Sequence, residues 1–133
     1  MIADINTLEP VCKEIKKRLP GGGVVLLKGD LASGKTTLVK AFAKFMNIDE
    51  EVSSPTFSIM QQYADKIYHY DIYNEGVQKF IESGLIENLE SSGYHFIEWA
   101  DEKLEEILKD FGFNYITIEI LPINEAREYR FES

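Results

Sequence analysis

The spacing of apolar residues changes along the chain, and each change marks an element. Leu8, Val11, Cys12, Ile15 and Leu19 recur every three or four residues, the period of a helix with one buried face. Asn6 followed by Glu9 resembles a capping box, Pro10 falls in the tolerated first turn, and Pro20 with Gly21–Gly23 ends the helix. Val24-Val25-Leu26-Leu27-Lys28 then runs apolar without alternation, as in a strand covered on both faces. Helical spacing returns from about Thr36 to Met46, with Leu38, Phe42, Phe45 and Met46 inward. Short strands are expected at Phe57–Tyr63 and Lys66–Ile72 around an Ala64-Asp65 turn. A helix broken at Gly84 is expected over 76–90, and an apolar strand at Tyr94–Glu98. Asp101–Lys109 reads as an amphipathic helix with Leu104, Ile107 and Leu108 on one side. Tyr115–Leu121 and Arg127–Phe131 read as a terminal hairpin around Pro122–Ala126. Strands alternating with helices predict one α/β domain over 1–133, a three-layer sandwich whose mostly parallel sheet carries antiparallel edge strands.

Composition narrows the classes. The 133 residues are 44% hydrophobic and 28% charged, ordinary for a globular protein. Val24–Leu27 is the longest aliphatic run, so no membrane span is expected. The start, MIADINTLEP, has neither a basic stretch nor an apolar core, so no secretory signal is expected and the protein is placed in the cytoplasm. The single cysteine, Cys12, excludes an internal disulfide and lies on the apolar helix face, where it reads as core. Charge is uneven. Residues 1–66 hold nine basic and eight acidic side chains, residues 67–133 five and fifteen, which together give the net −9. An acidic half repels phosphate backbones, so tight direct binding of RNA or DNA is not expected; the acidity fits a face that docks on a basic partner protein and, equally, charge that keeps a small protein soluble.

The chemistry begins at Gly29-Asp30-Leu31-Ala32-Ser33-Gly34-Lys35-Thr36, a full match to G-x-x-x-x-G-K-[ST] between an apolar strand and a helix. Gly29 and Gly34 let successive backbone N–H groups turn toward phosphate oxygens, and the helix N-terminus adds further donors. Lys35 is placed to reach the β and γ phosphates, and the Thr36 hydroxyl to ligate Mg²⁺. Such a site also needs a carboxylate near the metal. Glu98 ends an apolar strand, and in a parallel sheet that end faces the phosphate loop. Trp99, next in sequence, is expected to pack beside the site. In Ser53-Ser54-Pro55-Thr56-Phe57, Thr56 is a candidate sensor of the γ phosphate, although the pattern fits an ordinary Ser-Pro turn equally well. His69 and Asp71 alternate onto one strand face, where Asp71 can meet metal-bound water. A transition-metal site of His69, His95 and an acid is the competing use of the two histidines. Asp110-Phe111-Gly112 spells a protein-kinase motif, but the other kinase motifs are missing. The chain also lacks an Asn-Lys-x-Asp guanine-reading segment, which favours adenine.

GDLASGKTTL (29–38), SSPTF (53–57), HYDIY (69–73) and IEW (97–99), in this order, resemble the TsaE (YjeE) family, P-loop ATPases of tRNA N6-threonylcarbamoyladenosine synthesis. The resemblance covers nearly the whole chain. It implies that Leu31, Ala32, Ser33, Gly34, Lys35, Thr36 and Thr37 bind ATP or ADP, and that Thr36 and Glu98 are magnesium ligands, directly or through water. It implies that Thr56 belongs to a switch-like segment and Asp71 to the catalytic metal shell. Thr7 matches a threonine beside the nucleotide, and Arg127 a C-terminal arginine of the family. Two departures stand out: Ala32-Ser33 replace a usual Gly-Ala, and Asn74 follows Tyr73 where the family has Arg. The implied activity is a Mg²⁺-dependent ATP hydrolase, weak alone and stimulated by a TsaD–TsaB-type carbamoyltransferase complex. A small-molecule kinase, or a nucleotide-gated binding module without significant hydrolysis, are the alternatives.

Overall fold

The computed structural model describes residues 1–4, 7–29, 34–48, 52–53, 60–64, 66–72, 76–124 and 126–132. Among these residues eight strands form one sheet: β1 (Ile2–Ala3), β2 (Gly22–Lys28), β3 (Val52–Ser53), β4 (Met60–Tyr63), β5 (Ile67–Asp71), β6 (Gly93–Glu98), β7 (Tyr115–Ile123) and β8 (Ala126–Glu132). Their spatial order is β1-β8-β7-β2-β6-β5-β4-β3. The middle four, β7, β2, β6 and β5, are parallel, and every pairing outside them is antiparallel. The helices are α1 (Glu9–Arg18), α2 (Lys35–Phe45), α3 (Gly76–Glu82), α4 (Leu85–Asn88) and α5 (Glu102–Asp110).

The period-2 alternation of the strands divides the core into two layers. Val25 and Leu27 of β2, Tyr94 and Phe96 of β6, and Ile116 and Ile118 of β7 pack with α1 and α2. Val24, Leu26, Ile97, Tyr68 and Tyr70 pack on the other face, with Phe80, Leu85, Leu104 and Leu108. The continuous apolar run of β2 is therefore two half-runs, one per face, giving the predicted three layers.

Two packing features set the site. Phe42, fully buried on α2, meets Tyr94 at 4.8 Å and Phe96 at 5.3 Å between ring centroids, fastening α2 onto β6. Emptying such a position costs about 3–5 kcal/mol. The backbones of β5 and β6 also approach closely where the strands begin. Gly93 has φ +116°, and a Cβ there would strike the Lys66 carbonyl, so only glycine fits. Asp101 caps α5 by accepting from the Leu104 N–H at 3.0 Å, turning the chain sharply after β6.

Some expectations shift. α1 begins after Leu8, which has no side-chain cap, so Glu9 opens the helix instead of closing a box on Asn6, itself outside the described residues. Pro122 belongs to β7, paired with Arg127, so the hairpin turn is shorter than Pro122–Ala126. β1 and β3, of two residues each, are too short for alternation to reveal. Cys12 is buried in the core, and that burial pushes its thiol up to about 12.

Candidate functional site

The loop after β2 leads into α2 through Gly34, the N-cap, at φ +99°. Among the described residues nothing crowds a Cβ there, and the backbone angle demands glycine. Lys35 opens the helix and is buried at 3% exposure. Its Nζ donates to the Gly29 carbonyl at 2.7 Å, folding the side chain back toward the end of β2. The ammonium also lies 3.5 Å from the centroid of the Trp99 ring. Trp99 has φ +68°, a left-handed angle that costs a bulky residue roughly 1–2 kcal/mol. It follows Glu98 directly and precedes the α5 cap by two residues, so the tight exit from β6 turns its ring under Lys35.

Glu98 is the other half of the arrangement. It is 4% exposed at the C-terminal end of β6, beside β2 in parallel register. Thr36 Oγ1 donates to Glu98 Oε2 at 3.2 Å, joining the helix that follows the loop to the acid at the strand end. His69 Nε2, from β5, meets the same oxygen. Burial pushes the Glu98 carboxyl up. The hydrogen bond and charge of His69, the Thr36 hydroxyl and the Lys35 ammonium outweigh it and hold the group below the usual carboxylate range. Asp71, exposed at the end of β5, stands in register with Glu98.

These residues form one cluster: Lys35, Thr36, Glu98 and Trp99, with His69 and Asp71 on the next strand. Thr37, half-buried, follows on the first turn of α2. Asp30, Leu31, Ala32, Ser33, Thr56 and Asn74 lie outside the described residues. Arg127 and Thr7 are reached through the sheet order. Lys28 pairs with Glu119 of β7, and Pro122, three residues further along β7, pairs with Arg127 of β8. Arg127 is therefore at the loop end of the sheet, two strands or about 10 Å to the side of β2. β1 runs toward the same end and pairs with Arg127 through Ala3, so the Thr7 turn, with its hydroxyl on the Asp4 carbonyl at 3.4 Å, lies on that rim. Arg18 closes α1 just before β2 starts, at the opposite end.

A transition-metal site built from both histidines is ruled out by strand parity. His69 faces the α1–α2 layer, while His95 faces the other, stacked on Tyr68 with ring centroids 4.6 Å apart. His95 Nε2 donates to the Ser91 carbonyl at 2.8 Å, so its Nδ1 accepts from the Tyr70 hydroxyl at 2.8 Å, and that hydroxyl accepts from Asn88. Among the described residues no three of His, Cys, Asp or Glu are grouped to hold a metal ion. Magnesium has no need of such a cage. It is held through one or two protein oxygens together with phosphates, and the Thr36 hydroxyl with the Glu98 carboxylate is a hard-oxygen pair of that kind. Trp99 packs beside the site as expected, but sequence reasoning missed its contact with Lys35 and the bond of His69 to Glu98. Both depend on contacts between elements that a single sequence does not carry.

The family model for "Threonylcarbamoyl adenosine biosynthesis protein TsaE" matches residues 2–129. A tRNA threonylcarbamoyladenosine biosynthesis protein TsaE from Treponema pallidum is 35% identical over 70% of this chain and 71% of its own. One of the same name from Bacillus subtilis is 36% identical over 68% of this chain and 64% of its own. A crystal structure of Bacillus subtilis YdiB superposes with TM-score 0.61 at 28% identity, covering 100% of this chain and 84% of that one.

Proposed function

The chain belongs to the TsaE family, and from that premise we propose that it is a magnesium-dependent P-loop ATPase serving tRNA N6-threonylcarbamoyladenosine synthesis. The single observation that carries the chemistry is the hydrogen bond from Thr36 to Glu98 beside the buried ammonium of Lys35. It links the phosphate-loop helix to the strand-end acid, as handling a triphosphate requires. The relatives' names supply the pathway.

In this reading Leu31 to Thr37 cradle the phosphates of ATP or ADP. The Lys35 ammonium leaves the Gly29 carbonyl for the β and γ oxygens. The first N–H groups of α2 stabilise charge on the transferring phosphoryl group. Thr36 and Glu98 would hold Mg²⁺, with Asp71 in the outer shell; when bound, the ion neutralises charge on the phosphate oxygens. Glu98, kept anionic by its neighbours, or Asp71 orients the attacking water. Thr56 senses the γ phosphate, while Thr7 and Arg127 border the nucleotide from the rim. Arg18 lies at the wrong end of the sheet to neutralise the transition state, and Arg127 stands about 10 Å to the side of β2; weak turnover by the isolated protein is part of the proposal.

The proposed partner is a TsaD–TsaB-type carbamoyltransferase complex, reset by hydrolysis between cycles, with tRNA met only through that complex. The acidic second half of the chain offers it a docking face. The proposed location is the cytoplasm; no helix among the described residues is long and apolar enough to cross a membrane.

The test is ATP turnover by the chain alone, with the partner pair, and with the pair plus tRNA. Stimulation is expected, with loss of turnover in Lys35→Ala and in Glu98→Ala. Glu98→Ala that leaves the stimulated function intact while Lys35→Ala abolishes it would mark a binding module instead. Unstimulated turnover, with tRNA modification proceeding when the chain is omitted, would refute the proposal.

A further inference from the structure

Glu98 is held from two directions. Thr36, on the first turn of α2, donates to Oε2, and His69, one strand across the sheet, meets the same oxygen. The parallel pairing explains the reach. Asp71 stands opposite Glu98, while His69 stands opposite Phe96, two residues earlier on the same face. The imidazole therefore leans forward along β6 to arrive at the carboxylate. The two side chains are each 5% exposed. Among the described residues, both hydrogen bonds to this carboxylate go to Oε2, and Oε1 receives neither.

A glutamate side chain has three rotatable bonds before its carboxylate. One donor on Oε2 fixes that atom and leaves the plane free to swing about it. A second donor, arriving from a different element, removes the swing. The competing view is that His69 merely fills the core. His95 shows what that looks like in the same sheet: stacked on an aromatic ring and bonded to a backbone carbonyl and a tyrosine, on the face away from the loop. His69 instead directs its bond to the buried acid that Thr36 also grips.

We infer that His69 is a positioning residue, pinning Glu98 through Oε2 so that Oε1 is the oxygen offered to the metal and its water shell. The inference rests on the nucleotide-binding reading above.

The test uses the full chain with His69→Leu, which fills the space without a donor, and His69→Gln, whose amide nitrogen can still donate. ADP affinity is measured by calorimetry in EDTA and in Mg²⁺, and the ratio of the two gives the metal's contribution. The expected result is that His69→Leu loses about tenfold to a hundredfold of that ratio, the usual cost of removing a support of a metal ligand. Affinity in EDTA stays within about threefold of the unmodified chain, and His69→Gln recovers most of the loss. In turnover assays kcat falls and KM for Mg²⁺–ATP rises, and His69→Gln recovers both. If the leucine variant does not fold, His69→Ala replaces it, with affinity in EDTA as the check on folding.

An unchanged ratio in the donor-less variant would overturn the inference. So would equal loss in leucine and glutamine variants, or affinity in EDTA falling in parallel, since each would mark His69 as packing. An unmodified chain that binds ADP with no response to Mg²⁺ sinks the inference and leaves nucleotide binding standing. An unmodified chain that binds no ADP sinks both.

Discussion

Replacing Lys35 by methionine separates what this side chain does for the fold from what it does for a ligand. Met keeps the unbranched stem and removes the charge. Taking an ammonium to 3% exposure costs several kcal/mol after relaxation. Against that stand the charged hydrogen bond to Gly29 at 2.7 Å, worth about 1.5–3 kcal/mol, and the contact with the Trp99 ring at 3.5 Å, worth about 2 kcal/mol when desolvated. Attraction to the Glu98 carboxylate adds a smaller contribution. Gain and cost nearly cancel. The Gly29 carbonyl, only half-buried, can take a water when its donor is lost. Unfolding in urea is therefore expected to show Lys35→Met within about 1 kcal/mol of the unmodified chain, and on the stable side if the charge is a net burden.

Ligand binding moves the other way. The same ammonium would meet the phosphates of a nucleotide, and losing a charge-assisted contact in a closed site costs about 2–5 kcal/mol. Calorimetry with Mg²⁺ and ADP should show affinity at least thirtyfold weaker. The combination of a neutral fold and a crippled site is the signature of a residue kept for its ligand. Destabilisation beyond about 3 kcal/mol with affinity intact would make Lys35 a structural element and remove the main support for the phosphate reading.

Three further outcomes can be checked. Trp99 is the chain's one tryptophan, and its ring carries the Lys35 ammonium, so its emission should change on titration with Mg²⁺–ATP; binding confirmed by calorimetry with a flat emission would show that Lys35 stays on the ring. Gly34→Ala should cost about 1–2 kcal/mol in urea unfolding, because φ is +99°; a neutral result would mean that the N-cap relaxes to negative φ. Burial, partly offset by the bond to Ser91, pulls the His95 pKa below its ordinary 6.5, so below about pH 6.5 the unfolded chain takes a proton that the folded chain refuses. Stability should then fall by up to about 1.4 kcal/mol per pH unit until the lowered folded pKa is reached, and His95→Gln should flatten that part of the profile; identical slopes would refute the neutral assignment.

Most of the fold was legible because its signals are local. The period switches from helix to strand at Gly21–Gly23 and back after Gly29, and each switch corresponds to an element boundary within a few residues. The helix break at Gly84 also shows, since that residue carries φ +80° as the N-cap of α4. What escaped was short or non-local. β1 and β3 are held by pairing with β8 and β4, with no periodic pattern of their own. In the site, Gly34, Lys35 and Thr36 are legible because one loop fixes their spacing. Glu98 is legible because the end of a parallel strand must face that loop. Trp99 under Lys35 is not, because it depends on a positive φ set by the turn into α5.

The two histidines show where sequence reading stops. Each lies in an apolar strand, and each is nearly buried. Periodicity within β5 puts His69 with Asp71, and within β6 it puts His95 with Ile97. It cannot say how the two strands are phased against each other. The pairing of Asp71 with Glu98 supplies the phase, and everything else follows from parity. Residues 69 and 71 then share a face with 96 and 98, which sends His69 to the acid, while 95 shares a face with 68 and 70, which sends His95 into a tyrosine network. A one-residue slip of β5 against β6 would exchange these surroundings and strand Glu98 among Tyr68 and Tyr70. The close approach at Gly93, where any Cβ would strike the Lys66 carbonyl, opposes such a slip. Gly93→Ala should therefore damage the distant Glu98 site as well as the fold, even though position 93 lies at the other end of the strand.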